Sequence, residues 1–136
     1  MAGDDQTTVN WESEIIPDLA RLFMRVHRSY IREGRPVPGA FRDIGAGMST
    51  DWDKYSTPEE SRARARKPDE NGIVEMNTAT VRGISALVVE HTPSRQFNNR
   101  AHTDVVGEKT EEVRVKLRRL AVGCSASFAN PPADAQ

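Results

Sequence analysis

The chain has 136 residues, of which 29% are charged and 37% hydrophobic, and its formal net charge is −1. That length suits one domain with a core of its own, and the near-neutral charge argues against nonspecific nucleic-acid binding. The longest aliphatic run, Leu87-Val88-Val89, falls far short of the roughly 20 apolar residues of a spanning helix, and Met1–Asp5 has no signal-peptide character, so the expected setting is cytoplasmic, without a membrane partner.

Residues 1–10 read as a mobile tail, and Trp11, Ile15 and Ile16 supply the first apolar surface. From Leu19 to Gly34 two readings compete. Leu19, Leu22, Phe23, Val26 and Tyr30 fall at helical spacing, whereas Leu22, Met24 and Val26 alternate against Phe23, Arg25 and His27 as in a strand. Residues 34–47 form a glycine- and proline-rich loop, with Phe41 and Ile44 expected to anchor it to the core. Met48–Tyr55 is expected to be a turn around a buried Trp52, since Asp51 and Asp53 lack the glycine and terminal glutamate of a calcium loop. Thr57, Pro58 and Glu60 form a helix-start signal, and the nearly all-polar segment through Arg66 is expected to lie exposed. Gly72–Met76 reads as a strand, and Asn77 as the cap of a short helix through Arg82. Ala86–Glu90 reads as the central strand with both faces covered, and Ala101–Val106 as its neighbour. Glu108–Val122 is expected to be a helix that faces the sheet with Val113, Leu117 and Leu120, with Gly123 as its stop. Residues 124–136 read as a second mobile tail. The single cysteine, Cys124, excludes an internal disulfide and a cysteine-based zinc site, and its small neighbours predict an inert thiol.

The expected architecture is therefore a single α+β domain over residues 11–123, with a small mixed β-sheet and a long C-terminal helix packed on one face. Arg25-Val26-His27, Gly34-Arg35, Ala40-Phe41-Arg42 and Met48-Ser49 resemble the pattern of a family of small bacterial proteins with no established activity. In that pattern a proline follows the histidine, so the resemblance implies a strand that ends near His27; Arg28 stands at that place in this chain.

One constellation bears on chemistry: Arg25, His27 and His102, with Glu90 and His91 nearby. Two imidazoles and a guanidinium at one sheet edge would suit metal-independent cleavage of a phosphodiester or nucleotide, one ring acting as base and the other as acid. The order Arg25, Ser49-Thr50, Glu90 also resembles that of ADP-ribosyltransferases, although Asp51 and His91-Thr92 depart from their pattern. No histidine spacing points to a metal site, and no motif points to a cofactor. Arginine outnumbers lysine fifteen to four, and its planar fork suits carboxylates. The leading expectation is a non-catalytic binding subunit whose Arg28, Arg32 and Arg35 meet an acidic protein partner.

Overall fold

The computed structural model describes residues 11–84 and 87–123. Its strands are β1 (Arg21–His27), β2 (Ile31–Arg32), β3 (Arg35–Pro36), β4 (Met48–Trp52), β5 (Asn71–Asn77), β6 (Val88–His91), β7 (His102–Val106) and β8 (Val122–Gly123). Its helices are α1 (Pro58–Ala63), α2 (Thr78–Arg82) and α3 (Glu111–Leu120), with short 3-10 turns at Arg28–Tyr30, Pro38–Ala40 and Pro68–Glu70. Six strands make one sheet in the order β6-β7-β4-β1-β5-β8, while β2 and β3 form a separate hairpin. The α+β class holds, but every pairing in the sheet is antiparallel, so the expected small mixed sheet is corrected.

Residues 21–27 are a strand because alternation, and not helical spacing, matches their burial. Leu22, Met24 and Val26 are buried in the main core, whereas Leu19, which a helix would have turned inward, is 87% exposed. The core lies on one face of the sheet, where these side chains meet Met48, Trp52, Val74 and Val105 beneath Val81 of α2 and Leu117 of α3. Leu117 is fully buried, and Val113 and Leu120 pack against the same cluster. Full burial of one such leucine contributes roughly 1.5–3 kcal/mol. The helix itself is shorter than expected. Thr110 caps its start by accepting from the Val113 amide at 3.2 Å, and Ala121 is already extended because Val122–Gly123 pairs with β5.

The other sheet face is divided. Over β1 and β5 it carries Phe23 and Ile73, both buried, where α1 makes its contacts. The capping box of α1 is complete: Thr57 Oγ1 accepts from the Glu60 amide at 3.1 Å, and Glu60 Oε1 from the Thr57 amide at 2.9 Å. Most of this segment is exposed as expected, but Ser61 is fully buried. Over β4, β7 and β6 the same face is polar. Ser49 pairs with Asp104, Asp51 with His102, and Glu90 with Asp104, and partners across a ladder share a face.

Two further expectations change. Val88–His91 is an edge strand with alternating burial, and Val88 is 51% exposed. A short apolar run cannot by itself distinguish a central strand from an edge strand. Within the loop at 34–47, Phe41 is fully buried but Ile44 is 65% exposed. Gly47 lets that loop close on the sheet, since a Cβ there would lie 3.0 Å from both the Asp104 Cβ and the Val105 carbonyl oxygen. Cys124 and the two expected tails lie outside the described residues.

Candidate functional site

Asp51 organises the polar face. Its side chain is 1% exposed on a central strand, and a carboxylate there needs partners for its charge, because an unpaired buried ion is disfavoured by several kcal/mol. Four side chains supply them. Oδ2 accepts from Ser61 Oγ at 2.6 Å, Arg64 Nη1 at 3.0 Å and Arg25 Nη1 at 3.3 Å, and Oδ1 accepts from Asn99 Nδ2 at 2.8 Å. The donors come from α1, the turn after it, β1 and the β6–β7 loop, so one carboxylate ties four segments together. Each outer donor is itself held: Arg25 Nη1 also meets the Ser61 carbonyl at 3.0 Å, Arg64 Nη1 meets Ser56 Oγ at 3.0 Å, and Asn99 Oδ1 accepts from the Ala101 amide at 3.0 Å.

The residues singled out from sequence are distributed around this hub. Arg25 lies in it, 28% exposed. His102 stands opposite Asp51 on β7, with its side chain 24% exposed. Its Nδ1 lies 3.0 Å from the Thr92 carbonyl oxygen and 2.9 Å from Thr92 Oγ1. Because a carbonyl only accepts, the proton sits on Nδ1, and Nε2 is left to accept from Ser49 Oγ at 3.3 Å. His27 is elsewhere. Its Nδ1 accepts from the Ser29 amide at 3.1 Å and caps a 3-10 turn, while Nε2 meets Glu70 Oε1 at 3.1 Å. That hydrogen bond is the main reason the Glu70 carboxyl lies below its usual value.

The register measures how far apart the two histidines are. Asp51, opposite His102, is also opposite Phe23, four positions before His27. At about 3.3 Å per residue and about 4.8 Å per strand, His27 and His102 are roughly 13 Å apart along the strands and roughly 10 Å across them. The register therefore sets the two rings apart, while Arg25 stands two positions from His27 on β1 and bonds to Asp51, the partner of His102.

His91 faces the core side and is 3% exposed. Its Nδ1 accepts from the Glu14 amide at 3.0 Å, Nε2 donates to the Arg100 carbonyl at 2.7 Å, and its ring meets Trp52 edge-on at 5.1 Å. Both nitrogens are thus committed to backbone partners, which fixes the neutral Nε2–H tautomer. Glu90 is exposed on the polar face, in line with Asp104 and Ser49.

Arg28, Arg32 and Arg35 are exposed around the β2–β3 hairpin, whose turn at Glu33 and Gly34 has φ of 56° and 78°. Arg32 and Arg35 lie directly opposite one another. Arg118 joins them, with Nε donating to the Pro36 carbonyl at 2.8 Å and its own carbonyl accepting from Arg35 Nη2 at 3.3 Å. Among the described residues Arg32, Arg35 and Arg118 have no carboxylate partner, whereas the charge of Arg28 helps to lower the Glu70 carboxyl. No three His, Cys, Asp or Glu side chains among the described residues come together to hold a metal ion, and no helix among them is long and apolar enough to cross a membrane.

No protein-family model, curated protein or solved structure matches this chain.

Sequence reasoning missed Asp51, Ser61, Arg64 and Asn99. A signal was present for Asp51: Met48, Thr50 and Trp52 alternate with Ser49 and Asp51, which is a strand pattern that sets the carboxylate opposite the core.

The N-terminal segment is held by a separate cluster. Glu14 accepts from Lys54 Nζ at 2.8 Å and from the Tyr55 hydroxyl, and Ser13 Oγ donates to the His91 carbonyl at 2.6 Å. The bonds from Lys54 and then Tyr55 hold the Glu14 carboxyl below its ordinary 4.5. A depressed carboxyl stabilises the fold fully above its unfolded value, and that contribution fades as pH falls through the folded value. Carbon-detected NMR titration of the Glu14 carboxyl is expected to give a midpoint below 4.5, with the amide shift of Glu14 following it. A midpoint at or above that value would contradict the anchor.

Proposed function

We propose that this protein is a binding module that holds an acidic protein partner on the arginine-bearing β2–β3 hairpin. The observation that carries this reading is the like-charge pair Arg32–Arg35, directly opposed across two strands with no carboxylate partner among the described residues. Like charges in that relation are destabilising by roughly 0.2–1 kcal/mol. Carboxylates brought by a partner would relieve the repulsion, with Arg28 and Arg118 extending the positive surface on either side. Such a surface raises the association rate and makes it fall with added salt.

The test is affinity capture of the tagged full-length chain from its native cells. A stoichiometric partner with an acidic contact surface is expected, released by salt and lost in the Arg32→Glu/Arg35→Glu variant. Because the changed side chains are exposed and lose only exposed hydrogen bonds to carbonyls, the variant should melt close to the parent temperature. A free monomer without a stoichiometric partner, or a partner retained by the variant, would contradict the reading.

A second, enzymatic reading is favoured by the geometry of the polar face. The register lines up Glu90, Asp104 and Ser49, and Arg25 follows on β1 two positions past Phe23, the partner of Asp51. The serine and glutamate of the order that resembles ADP-ribosyltransferases thus share a row across β4, β7 and β6, with Arg25 beyond the last β1–β4 pair. On this reading Arg25 holds a dinucleotide phosphate and Glu90 the ribose. Incubation with NAD should then release nicotinamide, with the rate reduced by about 100-fold or more in Glu90→Gln, the range of a lost acid–base group; no release by the parent protein would dismiss it.

A further inference from the structure

The pairing of β1 and β4 is confined to two positions, Leu22 with Trp52 and Phe23 with Asp51. Beyond them β1 stays with β5 as far as His27, and β4 runs back to Met48 beside β7. The sheet therefore forks between its two central strands. A cleft of about 180 Å³ lies at this fork, walled on its apolar side by Met24, Met48, Tyr30 and Ile44. Its charged residues are Arg25 and Arg42, with His27 beside them, and no aspartate or glutamate lines it.

Two guanidinium groups there retain binding capacity. Of the three Arg25 nitrogens only Nη1 is hydrogen-bonded among the described residues, to Asp51 and the Ser61 carbonyl. Asp51 also serves Arg64, so one carboxylate stands against two guanidiniums and a positive charge is left over. Arg42 uses Nη1 on the Tyr30 hydroxyl at 3.0 Å, with its guanidinium 4.9 Å from that ring centroid, and has no carboxylate partner among the described residues. Its other N–H groups remain available, and a guanidinium edge matches a carboxylate or phosphate. Low-dielectric walls concentrate such a field. The volume is below the roughly 300–1,000 Å³ of drug-sized sites, so the occupant is compact.

We propose that the fork between β1 and β4 is a binding site for a small organic anion, with its carboxylate or phosphate on Arg25 and Arg42 and a short apolar body against Met24, Met48 and Ile44. This site is distinct from the hairpin surface and stands whether or not that surface holds a partner.

The experiment is an NMR titration of the full chain with butyrate, butyl phosphate and inorganic phosphate, each at constant ionic strength set with sodium chloride. Arginine Nε–H and methionine methyl signals are followed. Saturable shifts of Arg25 Nε–H are expected with at least one butyl compound, accompanied by Met48 methyl shifts that inorganic phosphate does not produce. Comparison of butyrate with butyl phosphate decides between carboxylate and phosphate. Arg42→Gln, an exposed change that removes no hydrogen bond to Asp51, should weaken binding roughly tenfold or more, as loss of a charge-assisted hydrogen bond does. Arg32→Glu/Arg35→Glu should leave it unchanged. Shifts that rise linearly without saturation, or saturable binding that Arg42→Gln does not weaken, would overturn the proposal, and equal binding of inorganic phosphate and butyl phosphate would remove the apolar part of it.

Discussion

A single buried carboxylate on a central strand is the constraint on which the rest of this fold depends. Asp51 sits where an antiparallel sheet would normally carry an apolar residue, and it is tolerated because Ser61, Arg64, Arg25 and Asn99 converge on its two oxygens. Hydrogen bonds to a charged group each contribute about 1.5–3 kcal/mol, which is the scale needed to offset removing the carboxylate from water. The network also specifies position. α1 is tied to the second face by Ser61, and the β6–β7 loop is pinned at its base by Asn99.

This arrangement divides the sheet into faces with different roles. The core face carries the stability, through alternating apolar side chains under α2 and α3. On the second face, α1 covers β1 and β5, while β4, β7 and β6 present Ser49, His102, Asp104 and Glu90. Near the fork Asp51 orders Arg25 yet leaves two of its nitrogens uncommitted. The hairpin beyond β1 carries arginines that no carboxylate among the described residues neutralises. Charge is therefore satisfied where the structure needs rigidity and left over at the surfaces proposed to bind.

Much of this was legible in the sequence wherever local chemistry decides the outcome. The Thr57–Glu60 capping box, the Asn77 cap and the core face of α3 follow from a few neighbouring residues. The strand ending at His27 was legible only as one of two periodicities, and the exposure of Leu19 shows which one burial follows. What could not be read is set by pairing across long distances. Nothing local to Val88–His91 says that it ends the strand order of the sheet, and nothing local to Asp51 says that Asn99 and Arg64 reach it. The polar string at 57–66 looked like a solvated surface because burial there rests on one serine hydroxyl and two guanidinium groups. The histidines were visible as residue types, but their separation depends on a register that only the assembled sheet defines.

The most direct test of the Asp51 account is a double-mutant cycle in chemical denaturation, with Asp51→Asn and Arg64→Gln made singly and together. If the carboxylate is the hub, the single changes will each destabilise the protein and the pair will show a coupling energy of about 1–3 kcal/mol, as groups in one network do. Additive effects, agreeing within about 0.5 kcal/mol, would mean that the two side chains act independently and would contradict the account.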